Sequence, residues 1–245
     1  SSVLRVPLFG LIAQRSAEPL HGTAGALLGM GIASALAPYL VHLLKGVDPV
    51  LPFTLAGITL GLATLGFLQW ESAHAQALDK PAATPSPHGL LRLLLPVLLL
   101  AAGFQLHAFI NSALFFRQVA EPGMLKWLLP VFWIGFSLAV FPGAKLIERW
   151  GAENTFHASA TAGSIALALC LFGPPLPLLL FLQLLAGLAW GGIFISGLAI
   201  AAQLGASGKE AFFTGFVFAV LALAAIARIL LTLPGMPLPL PDTPL

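Results

Sequence analysis

The chain has 245 residues, of which 58% are hydrophobic and only 8% charged, and its mean hydropathy is +0.97. A soluble domain carries roughly 25% charged residues to cover its surface, and a disordered chain needs low hydrophobicity and high net charge, so both classes are excluded. Eleven basic against nine acidic residues leave a net charge of +2 with no basic stripe, which argues against nucleic acid as a partner, and the single cysteine, Cys170, cannot build a disulfide framework or a Cys-based metal site.

The class that remains is an all-α, polytopic membrane protein. One transmembrane helix takes about 20 apolar residues. Residues 3–14 (VLRVPLFGLIAQ) are too short to span and read as the tail of an earlier helix. About seven spans are expected after it, near 20–44, 50–70, 90–116, 124–147, 155–173, 175–204 and 210–233. The ten-residue alternation of a β-barrel is absent. The long polar stretch 71–89 (ESAHAQALDKPAATPSPHG) reads as a flexible connector. It divides the chain into 1–70, the end of an N-terminal bundle, and 90–245, a C-terminal bundle of about five spans. The proline-rich end LPGMPLPLPDTPL cannot continue a helix. The pattern also begins in mid-helix, so further N-terminal helices of the same protein, or of another subunit, are expected partners.

Sidedness follows from Lys and Arg. With 71–89 in the cytoplasm, Arg15, Lys80, Arg92, Lys145, Arg149 and Lys209 lie inside, and Lys45, Arg117, Lys126 and Arg228 outside. That bias agrees with the positive-inside rule. The expected location is multi-pass in a bacterial inner membrane, in contact with lipid.

Polar side chains at membrane depth are costly and therefore informative. One predicted helix carries Gln105, His107, Asn111 and Ser112 among Phe104, Phe109 and Phe115. His107 and Asn111 are four apart and share a face. These groups either line a solute cavity or bond to neighbouring helices and hold the bundle together. Gln183 and Trp190, seven apart on another helix, also share a face. Gly187, Gly191 and Gly192 around them permit close helix approach. Trp133 with Ser137 is a weaker candidate pair. Arg228 sits inside an apolar run. It is expected to snorkel to the membrane surface, the alternative being a cavity position holding an anion. No Asp or Glu lies mid-span, so a proton carrier in these helices could only be His107, whose ordinary pKa is near 6.5. No phosphate-cradling, nucleophile-elbow or metalloprotease motif is present. His21, His42, His74, His88 and His157 lack metal-ligand spacing, and no cofactor is expected.

Residues 144–151, Ala-Lys-Leu-Ile-Glu-Arg-Trp-Gly, resemble the loop motif Gly-x-Leu-x-Asp-Arg-x-Gly of the major facilitator superfamily. Leu146, Arg149 and Gly151 match, Glu148 replaces Asp, and Ala144 replaces the first Gly. The central connector and the small-residue helix ending in Ala37-Pro38 are similar to the same family. The resemblance implies helices from the end of the fourth through the eleventh of a twelve-helix transporter. It implies a solute site between two bundles, with Leu146, Glu148, Arg149 and Gly151 as a gating loop. A small-molecule solute moved by alternating access is the expected function. The candidate contacts are Gln105, His107, Asn111, Gln183 and Trp190. A non-transporting structural or assembly subunit of the same fold is the alternative.

Overall fold

The structure, a computed structural model, describes residues 8–10, 12, 18–48, 50–73, 87–107, 112–205 and 209–231. Asn111, the middle of the connector and the proline-rich end lie outside the described residues. The elements in chain order are α1 (Pro19–Lys45), α2 (Leu51–Ala73), α3 (Pro87–Leu106), α4 (Ser112–Val119), a 3₁₀ turn (Pro122–Met124), α5 (Leu125–Leu128), α6 (Pro130–Trp150), α7 (Ala152–Cys170), α8 (Leu176–Leu204) and α9 (Glu210–Leu231). No strand occurs among the described residues. Four segments, Pro19–Lys45, Pro122–Trp150, Leu176–Leu204 and Glu210–Leu230, are long and apolar enough to cross a membrane. The expected count of about seven is not reached among them. One reason is that α7 spends Glu153, Asn154, His157, Ser159, Thr161 and Ser164 on polar positions within 19 residues.

Helix α8 is the centre of the bundle. It is apolar all round, as a fully enclosed helix must be, and 67% of its apolar window is buried against 11% for α1. Helices α6, α7 and α9 pack on it, α1 packs outside α6, and α3 lies along α9. Small residues set these distances. A Cβ on Gly187 would collide with the Phe132 carbonyl oxygen, and one on Gly135 with that of Leu184. Helices α6 and α8 therefore cross backbone to backbone, the arrangement small residues permit between membrane helices.

The packing of α1 on α5 and α6 carries contact between the segments on either side of the connector. Tyr39 meets Trp127 with ring centroids 4.9 Å apart, and His42 Nε2 lies 3.2 Å from Lys126 Nζ at the same end. Midway, Gly31 lies against Phe136 and Ser137. At the far end His21 Nδ1 is 3.8 Å from Glu148. Helices α1 and α6 run antiparallel along their length, as alternating loop sidedness requires.

Two predicted helices differ in their description from a single continuous run. The span expected at 90–116 is described as α3 up to Leu106, a wide helical turn at His107, and α4 from Ser112; residues 108–111 lie outside the described residues. His107 and Ser112 bond to the same side chain of α8, that of Gln183. The helix expected at 124–147 begins as a 3₁₀ turn and α5 before Pro130, which has no N–H to donate, opens α6.

Candidate functional site

Helix α3 presents two polar groups on two faces. His107 turns toward α8, where its Nε2 lies 3.0 Å from Gln183 Oε1. The Ser112 hydroxyl donates to the same oxygen at 3.3 Å, so His107 in its Nε2–H tautomer makes Gln183 Oε1 a double acceptor. Gln183 is wholly buried, and among the described residues its Nε2 has no partner. Gln105, two residues before His107, turns instead toward α9, where its Oε1 accepts from Arg228 Nε at 3.2 Å. The expected single cluster is thus split. His107, Ser112 and Gln183 form one knot; Gln105 and Arg228 form another.

An aromatic wall separates the two. Phe104 and Trp190 stack with centroids 4.3 Å apart and planes 5° from parallel. Phe132 and Trp133 approach Phe104 at 5.8 and 5.9 Å. A cavity of about 260 Å³ on one side is lined by His107, Phe104, Phe132, Ser164, Trp190 and Ile193 among others. A second, of about 210 Å³, borders Ser34 of α1, Gln105, Trp133, Phe218 and the same Phe104–Trp190 pair. A third, of about 260 Å³, runs between α3 and α9 past Gln105 and Arg228. Among the described residues, Arg228 is the one charged side chain lining any of the three.

Arg228 therefore does more than snorkel: its Nε is committed to a buried carboxamide on α3. Trp190 lines two cavities, and Gln183 reaches His107 across the helix interface. Phe132 and Ser34 were not singled out by sequence reasoning. Their positions are apolar or small and depend on which helices meet.

The loop motif caps the junction of α6 and α7. Gly151 has φ +83° and ψ 161°, a backbone region essentially reserved for glycine. Its N–H donates to Ile147 and its carbonyl accepts from the backbone and hydroxyl of Thr155. Leu146 is half-buried, while Glu148 and Arg149 are exposed. Glu148 faces His21 of α1, which also lies 3.6 Å from Glu18. Among the described residues Arg149 has no ion pair, and neither have Arg117 and Glu121, because α4 ends at Val119 before their register is complete.

A stretch of 86 residues, 35% of this chain, is 35% identical to the niacin transporter NiaP of Acinetobacter baylyi, and the match covers 19% of that transporter's length. No family model matches, and no solved structure matches. The similarity points to a transporter, and together with the apolar helices it supports an integral membrane protein.

Proposed function

We propose that this chain is part of a secondary transporter or facilitator of the major facilitator type, which moves a small solute across the membrane by alternating access. The two bundles are 1–70 and 90–245, joined by a cytoplasmic connector at 71–89, with leading helices completing the first bundle. The observation that carries the reading is the Phe104–Trp190 pair, which separates two cavities with one polar knot beside each. Buried polar side chains in apolar helices mark solute pathways, and a stacked pair between two chambers can face a ring from either side. His107, Gln183 and Trp190 contact solute in the first chamber, Gln105 and Trp190 in the second. Asn111 joins from the segment beside His107. The motif residues Leu146, Glu148, Arg149 and Gly151 act at the cytoplasmic gate, with Glu148 engaging His21 of the other bundle. His107 is the candidate proton carrier, and the protein is a transporter, not an enzyme.

The test is uptake of radiolabelled nicotinate, chosen for the similarity to a niacin transporter, into proteoliposomes holding the whole protein. Wild type should exceed empty vesicles. His107→Ala should reduce uptake about tenfold or more, because it deletes a cavity group and strips Gln183 of a buried partner, a loss of about 1–3 kcal/mol. A protonophore reports whether uptake follows the proton gradient. Uptake unchanged in His107→Ala removes that residue from the site. No uptake by wild type favours the non-transporting assembly role.

A further inference from the structure

We infer that Phe104 sets the upper size of the solute. Stacked on Trp190, it partitions the site into two chambers that each hold one small group; displacing its ring joins them into one site for a longer, two-ring solute. This inference rests on the transport reading above and adds to it the residue that selects by size. Three observations support it.

The first is that the partition is two residues wide. Among the described residues, Phe104 and Trp190 are the two side chains that line both chambers. Their ring centroids lie 4.3 Å apart with planes 5° from parallel, so nothing passes between them. The chambers hold about 260 and about 210 Å³. Each falls below the roughly 300–1,000 Å³ of drug-sized sites, and the two joined fall within it.

The second is that the partition has one fixed leaf and one movable leaf. Trp190 is buried, and its turn of α8 is clamped from two sides. A Cβ on Gly187 or Gly191 would meet the α6 backbone at Phe132 or Phe136, and one on Gly192 would meet Ser159 of α7. Phe104 is half-buried, on a helix that lies mainly along α9 rather than α8. A Cβ on the neighbouring Gly103 would meet nothing within 4 Å. The backbone beside Phe104 therefore has room to shift, and the close-packed backbone beside Trp190 has none.

The third is where the chambers lie. The second borders Met30 and Ser34 of α1 as well as α3, α6, α8 and α9, so segments on both sides of the connector wall it. Every residue lining the first falls within 99–193, on the trailing side of the connector. The first chamber is thus an annex of the second, behind Phe104. Small residues, Gly103, Ala160, Gly163 and Ala186 among them, build its wall, and no Asp, Glu, Lys or Arg lines it among the described residues. Burying a charge there is costly, so the annex receives an apolar group, and Phe104, Phe132 and Trp190 favour a ring.

Benzamide and 4-phenylbenzamide serve as rulers, with one polar group and one ring or two in line. Thermal-shift titration of the full-length protein in detergent reads the affinity of each, since a ligand held by the folded state raises the melting point. Partition into the micelle is common to all variants and cancels between them. Wild type should bind benzamide in preference to 4-phenylbenzamide. Phe104→Ala should bind 4-phenylbenzamide about 10- to 100-fold more tightly than wild type does, the penalty of overpacking read as an affinity. A weakened fold lowers the melting point without ligand, but it does not create affinity for the longer ruler. Phe218→Ala is the control: of the two chambers Phe218 lines the second alone, so its removal leaves the stack in place and should add little affinity for the longer ruler. No gain in Phe104→Ala, an equal gain in Phe218→Ala, or a wild type that binds both rulers equally overturns the proposal. If Phe104→Ala does not fold, Phe104→Leu, which stays apolar and loses the flat ring, should gain several-fold, and unchanged affinity overturns the proposal. The two readings fail separately. The gain in Phe104→Ala without nicotinate uptake by wild type ends the transport reading alone, whereas uptake without the gain ends this one alone.

Discussion

Replacing Gly187 by alanine probes the contact on which the site is built. The new Cβ would overlap the Phe132 carbonyl oxygen and stand 2.9 Å from the Phe132 carbonyl carbon and 3.0 Å from the Phe136 nitrogen. All three are backbone atoms of α6, so no rotamer can relieve the clash. Helix α6 cannot slide away locally either, because Gly135 is pressed on the α8 backbone at Leu184. Overpacking of this kind costs about 1–3 kcal/mol, and a rigid obstacle places Gly187 at the upper end. Alanine recovers about 1 kcal/mol of helix propensity over glycine, which leaves a net loss of about 2 kcal/mol. At about 2–4 °C per kcal/mol for a chain of this size, the melting point in detergent should fall about 4–8 °C. Gly29→Ala is the control. Nothing lies within 4 Å of its Cβ, so it keeps the propensity gain and should melt about 2–4 °C higher than wild type. Scanning fluorimetry on the three proteins reads both shifts. If Gly187→Ala melts with Gly29→Ala, the α6–α8 crossing is looser than described, and the placement of Gln183 and Trp190 on either side of Gly187 fails with it.

Two further outcomes concern the motif at the α6–α7 junction. Gly151→Ala forces a side chain into a backbone region that costs about 1–3 kcal/mol, so its melting point should drop about 2–12 °C; no shift would show that the turn readily adopts another conformation. Glu148→Gln should move the melting point by no more than about 4 °C, because its contact with His21 is 3.8 Å long and both side chains are about half exposed. A larger fall would mean that this exposed pair is coupled to the packing of α1 on α6.

The helical class and the approximate positions of the long helices were legible because apolar runs of this length have few other solutions in water or lipid. So was one of the two readings of Gln105 and His107, that they bond to neighbouring helices, since polar groups at that depth need partners. The split between Gln105 and His107 was not legible. Residues two apart on a helix point about 200° from one another, but which neighbour each meets depends on which helices flank α3, and that is fixed by tertiary packing. The shared partner of His107 and Ser112 was equally hidden, because Gln183 lies 71 residues beyond Ser112. Arg228 shows the same limit: its depth suggested a snorkelling side chain, and only the packing of α9 on α3 revealed a carboxamide within reach.

The amide nitrogen of Gln183, unpaired among the described residues, bears on the proposed function. A buried donor without an acceptor costs about 1–3 kcal/mol, and a packed helix interface has no reason to retain one when methionine or leucine would fill the same volume. Turning the carboxamide over does not remove the problem, because the oxygen would then be the unpaired atom while the nitrogen faced His107 and Ser112. One polar atom of Gln183 is left over in either arrangement. A side chain kept solely to brace α3 and α4 against α8 would need two contacts and no more. The surplus is accounted for if Gln183 meets a third polar group in another state of the protein, solute, water or a neighbouring backbone exposed when the helices rock.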